Sequence, residues 1–418
     1  MALCCLGYLP GLLHAWYIIA KYPEIDREPP QQDSSFSPIS PLPQPPPPPP
    51  PLPPYKPRGI SNRPTIQKQP TPPKIGIGIG IETEFLLQSR EPNSEDVSLF
   101  RFARRCAIQY NEQVDQQHPR MHSLVQALWQ GQPHTQWCLH YDPTCETRSA
   151  PWGIELISPL FRIYPGSEWR QHIRATWRFL NENYMVTGNN NCSTHVHISQ
   201  AEGYSLEDLK RVAQAVIYFE PAFEALLPAS RRGNEYARSN WIDNPALAYQ
   251  NLSRAQSLNR IENLTTVDEL IDLMNPNQSK YFGWNFLSIK TYQTIEFRRG
   301  AVSTSVTDVF MWVELATSFV QASLTAPTSV ANLLQYPATV GGLRTFIGKA
   351  QLGQPEMYNP SSLNQLFAAK DLNSRLDPNP VGQLSEEKQL KLEKKIIADS
   401  MSNPVLDMIA SAQAVGTI

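Results

Sequence analysis

The chain has 418 residues, with 36 Lys+Arg against 38 Asp+Glu and a formal net charge of −2. Only 18% of its residues are charged, so it lacks the basic field that would neutralise a phosphate backbone, and nucleic acid is disfavoured as a partner. The 39 prolines, against 20 glycines, cluster before Lys74, and the chain after that point is long enough to bury a large core. Its six cysteines (Cys4, Cys5, Cys106, Cys138, Cys145 and Cys192) form no C-x-x-C pair and no zinc spacing. That pattern points to a reducing compartment such as the cytoplasm.

Residues 1–20, MALCCLGYLPGLLHAWYIIA, contain no charge and match the length of a membrane span. Lys21 and Arg27 follow, which places the remainder on the cytosolic side. Residues 1–22 are therefore a candidate transmembrane segment, with an apolar N-terminus that adheres elsewhere as the alternative. The string CLGYLPGLLHAWYIIAKYPE resembles the second hydrophobic segment of the small plasma-membrane proteolipid family but lacks that family's first segment. The resemblance implies membrane anchoring, or a fusion of two genes. Residues 23–73, centred on Pro45–Pro51, form a disordered Pro-rich linker. Such a stretch samples polyproline II, a stiff spacer that SH3- or WW-type grooves also recognise.

At Lys74 the composition changes. KIGIGIGIETEFLL has the period-2 alternation of a strand. SEWRQHIRATWRFLNENY sets Trp169, Ile173, Trp177, Leu180 and Tyr184 at helical spacing. Ser205 and Asp208 form a capping box ahead of LKRVAQAVIYFEPAFEALL, and DVFMWVELATSFVQASL reads as a further helix. Strands separated by helices, without a Rossmann or P-loop glycine pattern, predict an α+β fold with a mainly antiparallel sheet. Residues 74–326 are expected to be the catalytic domain and 327–418 a helical C-terminal extension. That extension ends in SEEKQLKLEKKIIADSM, a charged and solvent-facing helix.

Residues i and i+2 of a strand share a face. In the first strand Glu82 and Glu84 follow Gly76, Gly78 and Gly80 on one face, opposite a face of isoleucines. GIELISPLF carries Glu155 as its single charge, and a carboxylate buried there needs a cation or a metal. THVHIS aligns His195, His197 and Ser199, while TIEFRRG aligns Glu296 and Arg298 and turns Arg299 away. Each pair alone also suits a solvated edge strand or a surface salt bridge. Together they offer five metal-ligand candidates (Glu82, Glu84, Glu155, His195 and Glu296) and one Arg, a set suited to metal-bound phosphate.

Taken as an ordered set, GIETEFLL, GIELISP, C-x-x-HVHIS, PASRRGNEYA and TIEFRRG resemble the fungal amidoligases of the glutamine synthetase-like carboxylate–amine ligase superfamily. The resemblance implies a curved, barrel-like antiparallel sheet whose open face binds ATP and a divalent metal, Mg2+ by default and Mn2+ as the alternative. It implies metal binding at the five candidates and catalytic roles for Glu296 and Arg298. Nucleotide or substrate contacts are implied at His197, Ser199, Arg231, Arg232 and Lys280, with Asp142 near the amine. The implied reaction phosphorylates a small-molecule or peptide carboxylate and lets an amine attack the acyl phosphate. Three stretches depart from the family pattern: Cys192-Ser193, Lys280-Tyr281 with Asn285, and RRGAVS after Arg298.

Two other readings stay open on the residues alone. A metal-dependent hydrolase or cupin-like oxygenase would use His195, His197 and one Glu, usually with another metal-site His, for which His118, His122, His134 and His140 are available. A non-catalytic, membrane-tethered module would keep the fold and bind partners through the Pro-rich segment.

Overall fold

The alternation after Lys74 becomes β1 (Ile77–Ser89), a 13-residue strand with Ile77, Ile79, Ile81 and Phe85 buried on its apolar face. The computed structural model describes residues 76–91, 98–123, 134–140, 142, 144–145, 147–325, 330–353 and 360–400, which lie within one compact unit, Pro70–Ile418. The candidate membrane segment and the Pro-rich linker fall outside the described residues. None of the described helices is long and apolar enough to cross a membrane.

After β1 the chain forms α1 (Leu99–Gln113), β2 (Met121–Ser123), β3 (Trp137–His140), β4 (Trp152–Ile157), β5 (Phe161–Ile163), α2 (Trp169–Asn183), β6 (Tyr184–Thr187) and β7 (Ser193–Gln200). Next come α3 (Leu206–Leu226), α4 (Arg254–Glu262), α5 (Val267–Met274), β8 (Trp284–Asn285), α6 (Ser288–Tyr292) and β9 (Ile295–Ala301). The last helices are α7 (Val306–Thr325), α8 (Val330–Leu333), α9 (Val340–Gly353), α10 (Pro360–Phe367) and α11 (Glu386–Ser400). GIELISPLF is thus two strands rather than one. Ser158 separates them and binds β1 twice: its N–H donates to the Ile81 carbonyl, and its Oγ accepts the Ile81 N–H.

The sheet runs β2-β3-β4-β1-β7-β9-β8, with β5 and β6 also paired to β1, and every pairing is antiparallel except β2 with β3. β1 is its spine, not an edge. The sheet is open, where a barrel had been expected. Its terminal strands β2 and β8 have three and two residues, too few to carry the staggered ladder that closure demands.

Helices cover the apolar face. Phe85 meets Trp177 of α2 edge-on, and Trp284, Phe297, Phe223 and Phe319 join β8, β9, α3 and α7 in one aromatic cluster. The Ser205–Asp208 capping box at the start of α3 is formed in both directions. Pro221 within α3 cannot donate to the Ile217 carbonyl, and the Arg254 guanidinium donates to it instead (2.7 Å). Val340, Phe346 and Phe367 belong to the same hydrophobic core, so α9 and α10 pack into the structure. α11 is not wholly solvent-facing: Leu392 is buried, and Lys388 pairs with the buried Glu235 at 3.1 Å.

Candidate active site

With helices on one face, the other face of the sheet is left to the polar residues, and strand register orders them in rows. One row runs Gly80–His197–Glu296–Asn285 across β1, β7, β9 and β8. Glu82 stands opposite His195 in the next. A third holds His140, Glu155 and Glu84 across β3, β4 and β1. Gly78 makes room for the neighbouring Ser199, whose Oγ would lie 2.3 Å from any Cβ placed there.

Between Thr194 and Val196 of β7 the register shifts, so Arg298 and Arg299 of β9 both stand against His195. This is a β-bulge, which puts an extra residue in one strand and re-aims its side chains. Arg298 forms an ion pair with Glu296 on the polar face, while Arg299 pairs with the buried Glu224 of α3 on the other. Gly300 closes the bulge, since a Cβ there would lie 2.4 Å from the Thr194 carbonyl oxygen.

Two groups of potential ligands emerge, Glu82–His195–Glu296 and Glu84–Glu155–His195, and in each the ligand atoms lie within 4.8 Å of one another. His195 Nδ1 is 3.2 Å from Glu82 Oε2, and its Nε2 is 2.8 Å from Ser193 Oγ, which donates to Glu84 Oε2 at 2.7 Å. His197 Nε2 lies 3.3 Å from Glu82 Oε1, so the second histidine reaches the acid cluster as well. Asn285 Nδ2 donates to Glu296 Oε2 at 2.6 Å, which leaves the other Glu296 oxygen to Arg298.

The charges are mutually adjusted. Burial opposes the Glu82 carboxylate, but the His197 charge and hydrogen bonds from His195 and His197 hold its pKa well below the usual carboxylate range. For Glu296, burial is likewise outweighed, chiefly by Arg298 and then His197, and the pKa falls to about 2. Burial works to lower His197, yet Glu296 and Glu82 raise it. Arg298 is raised despite burial, again through Glu296 and then Glu82.

A groove of about 480 Å3 opens over this cluster, walled by Lys280, Tyr281, Tyr292, Arg298 and, from α11, Ile396. Beside it, a cavity of about 10 Å3 adjoins Glu84, His195, Arg231 and Arg298. Arg231 is buried there, with its Nε lacking a partner among the described residues and its pKa reduced to about 10 by desolvation.

The sequence-based candidates therefore divide. Glu82, Glu84, Glu155, His195, His197, Glu296 and Arg298 converge, with Lys280 on the groove wall and Arg231 at the small cavity. Ser199 shares the face but lies further along β7, against Gly78, and does not line the groove. Arg232 turns away, donating to the Glu224 and Leu227 carbonyls at the C-terminal end of α3. Asp142 accepts the Thr144 N–H and hydroxyl, each at 2.6 Å, and so shapes its own turn. The site also includes residues to which the motifs gave no role, Ser193 between the two ligand groups and Thr294 at 3.0 Å from His197 Nδ1, and it brings His140, a candidate of the hydrolase reading, to 3.6 Å from Glu155. Ser193, a departure from the family pattern, is a strand residue that binds Glu84 directly.

Two comparisons with known proteins complete the description. A 20-residue stretch is 75% identical to plasma membrane proteolipid 3 of Schizosaccharomyces pombe, covering 5% of this chain and 35% of that protein. The chain thus spans about a third of that relative's length. The family model described as "Putative amidoligase enzyme" matches residues 77–320, more than half of the chain and all of the strands just described, and the chain belongs to that amidoligase family.

Proposed function

We propose that the chain uses ATP to join a carboxylate to an amine, by way of an acyl phosphate, on the polar face of the sheet. The Glu84–Glu155 pair carries this reading. Like charges directly opposed across strands destabilise a sheet, and a cation between them removes the penalty. The donor set of carboxylate oxygens plus one imidazole suits a hard divalent ion, Mg2+ with ATP by default, or Mn2+, which accepts imidazole more readily. Glu82, His195 and Glu296 would hold one ion, and Glu84 and Glu155 could help hold another, His195 serving whichever of the two its tautomer faces. Such ions, when bound, neutralise charge on the triphosphate and on the phosphoryl group in transfer.

The side chains have separable tasks in this scheme. Arg298, fixed by Glu296 and by donation from Nε to the Tyr236 carbonyl (3.3 Å), presents a permanent positive charge to the groove. His197 and Lys280 meet nucleotide phosphates from the groove wall. Arg231, already desolvated and with a donor to spare, receives a carboxylate or phosphate oxygen. Glu296 is catalytic through its hold on both Arg298 and the ion. The N-terminal apolar stretch would anchor this domain to a membrane, and the Pro-rich segment would act as a spacer or an SH3/WW ligand.

The test is ADP release by the purified 74–418 fragment with Mg2+ across a panel of amino acids and small peptides. Turnover that requires both an acid and an amine supports the ligase. Hydrolysis without nucleotide would instead favour the metal-dependent hydrolase, and nucleotide-independent silence the binding module.

A further inference from the structure

We propose that Cys145 and Cys192 are a redox modification site, forming a reversible disulfide that loosens the Glu84–Glu155–His195 ligand group. The effect on ligands rests on the metal reading above; the disulfide itself does not. The two thiols come from segments 47 residues apart, both are buried, and their sulfurs are 3.5 Å apart. A disulfide bond is about 2.05 Å long, so closure needs a contraction of roughly 1.5 Å. Gly153 permits the approach: a Cβ there would lie 1.7 Å from the Cys145 carbonyl oxygen, so only glycine lets the loop press against β4.

The chain neighbours of both thiols belong to the site. Ser193, next to Cys192, binds Glu84 and His195. Thr144, next to Cys145, lines the small cavity together with Asn191, Ser193, Glu84 and His195. That cavity, of about 10 Å3, is lined by chain neighbours of both thiols, so a shift of either cysteine is felt at its walls. Drawing Cys192 toward Cys145 shifts Ser193 and, with it, the hydrogen bond that orients Glu84.

The oxidant is a peroxide. The Cys145 thiol donates to the Cys192 sulfur, and this contact favours the thiolate at Cys192 over Cys145. The Cys192 thiolate attacks one oxygen of hydrogen peroxide, the O–O bond breaks, and hydroxide leaves as Cys192 becomes a sulfenic acid. The Cys145 sulfur then attacks the Cys192 sulfur, the S–O bond breaks, and the oxygen departs as water with the Cys145 proton. In total two thiols and one hydrogen peroxide give one disulfide and two waters, and a dithiol reductant reverses the step.

The experiment uses the full chain, treated with hydrogen peroxide or with dithiothreitol. Non-reducing peptide mapping by mass spectrometry reports linkage, and titration with Mn2+ followed by electron paramagnetic resonance reports ligand integrity without any turnover. Expected are a Cys145–Cys192 linked peptide lighter by two hydrogens and a fall in Mn2+ affinity of about tenfold, the scale for losing a group that orients a ligand. Dithiothreitol should restore both. Cys145→Ser and, independently, Cys192→Ala should bind Mn2+ as the reduced chain does and ignore peroxide. A map without the linked peptide overturns the proposal, as does equal peroxide sensitivity in the variants. A linked peptide with unchanged Mn2+ affinity overturns the effect on the ligands. A reduced chain that binds no Mn2+ overturns the metal reading, while the map still decides the disulfide.

Discussion

Glu82 and His195 are directly opposed residues of β1 and β7, and His195 Nδ1 lies 3.2 Å from Glu82 Oε2. The pairing places an acid and an imidazole at the centre of the sheet, on strands bonded on both sides. Neither can retreat without breaking ladder hydrogen bonds, so the geometry is held by the backbone.

Removal of a ligand candidate should therefore be severe. Glu82→Ala and Glu296→Ala should each reduce ADP release by more than the roughly 10–100-fold typical of a residue that merely supports a ligand. Steady-state kinetics at saturating Mg2+ checks this; either variant turning over near the parent rate would remove that residue from the site.

Arg298 separates geometry from charge. Arg298→Lys keeps a cation beside Glu296 but loses the planar fork, and kcat should fall by roughly 100-fold with little loss of fold stability. Arg298→Met leaves the Glu296 carboxylate buried without its cation and should cost about 3–5 kcal/mol in denaturant unfolding.

The bulge offers a test of packing. Gly300→Ala brings a Cβ against the Thr194 backbone, which cannot swing aside as a side chain would. A loss of about 1–3 kcal/mol is expected by urea denaturation, together with lower turnover as Arg298 is displaced.

The metal-free chain should be most stable in an intermediate pH window. Glu82 is held below its ordinary 4.5, so its contribution is present above that value and is lost as pH falls through the folded one. His197 is raised above 6.5, so its contribution is complete below 6.5 and is lost as pH rises through the folded value. Thermal unfolding in EDTA across pH should show both limbs, and His197→Asn should flatten the alkaline one.

Ile396 tests whether α11 helps choose the substrate. Ile396→Ala should raise KM by up to about tenfold with kcat and Tm nearly unchanged, as expected for trimming an apolar groove wall.

How much of this was legible depended on element length. β1, β7 and β9 span 13, eight and seven residues, long enough for period-2 alternation to assign each side chain a face. β3 has four residues and β8 two, which hold no period, so the arrival of His140 beside Glu155 and Asn285 beside Glu296 came only with the register. α11 was obscured by its charges, although Leu392 and Ile396 stand at the i, i+4 spacing of a contact stripe. Adjacent arginines were the hardest case. Nothing local distinguishes Arg231, buried at the cavity, from Arg232, which caps α3.

The second arginine pair carries a related difficulty for folding. Arg298 and Arg299 have identical side chains and face opposite sides of the sheet, so slippage of β9 by one residue would exchange two chemically equal groups. Neighbouring charges alone do little to penalise that error. Discrimination falls to Ile295 and Phe297, which such a slip would turn out of the core, to Gly300, whose missing Cβ permits the close backbone approach, and to Glu224, which pairs with Arg299 from the helical side. A residue without a side chain and an acid outside the groove thus act as proofreaders, beside the core residues, of which arginine faces the groove.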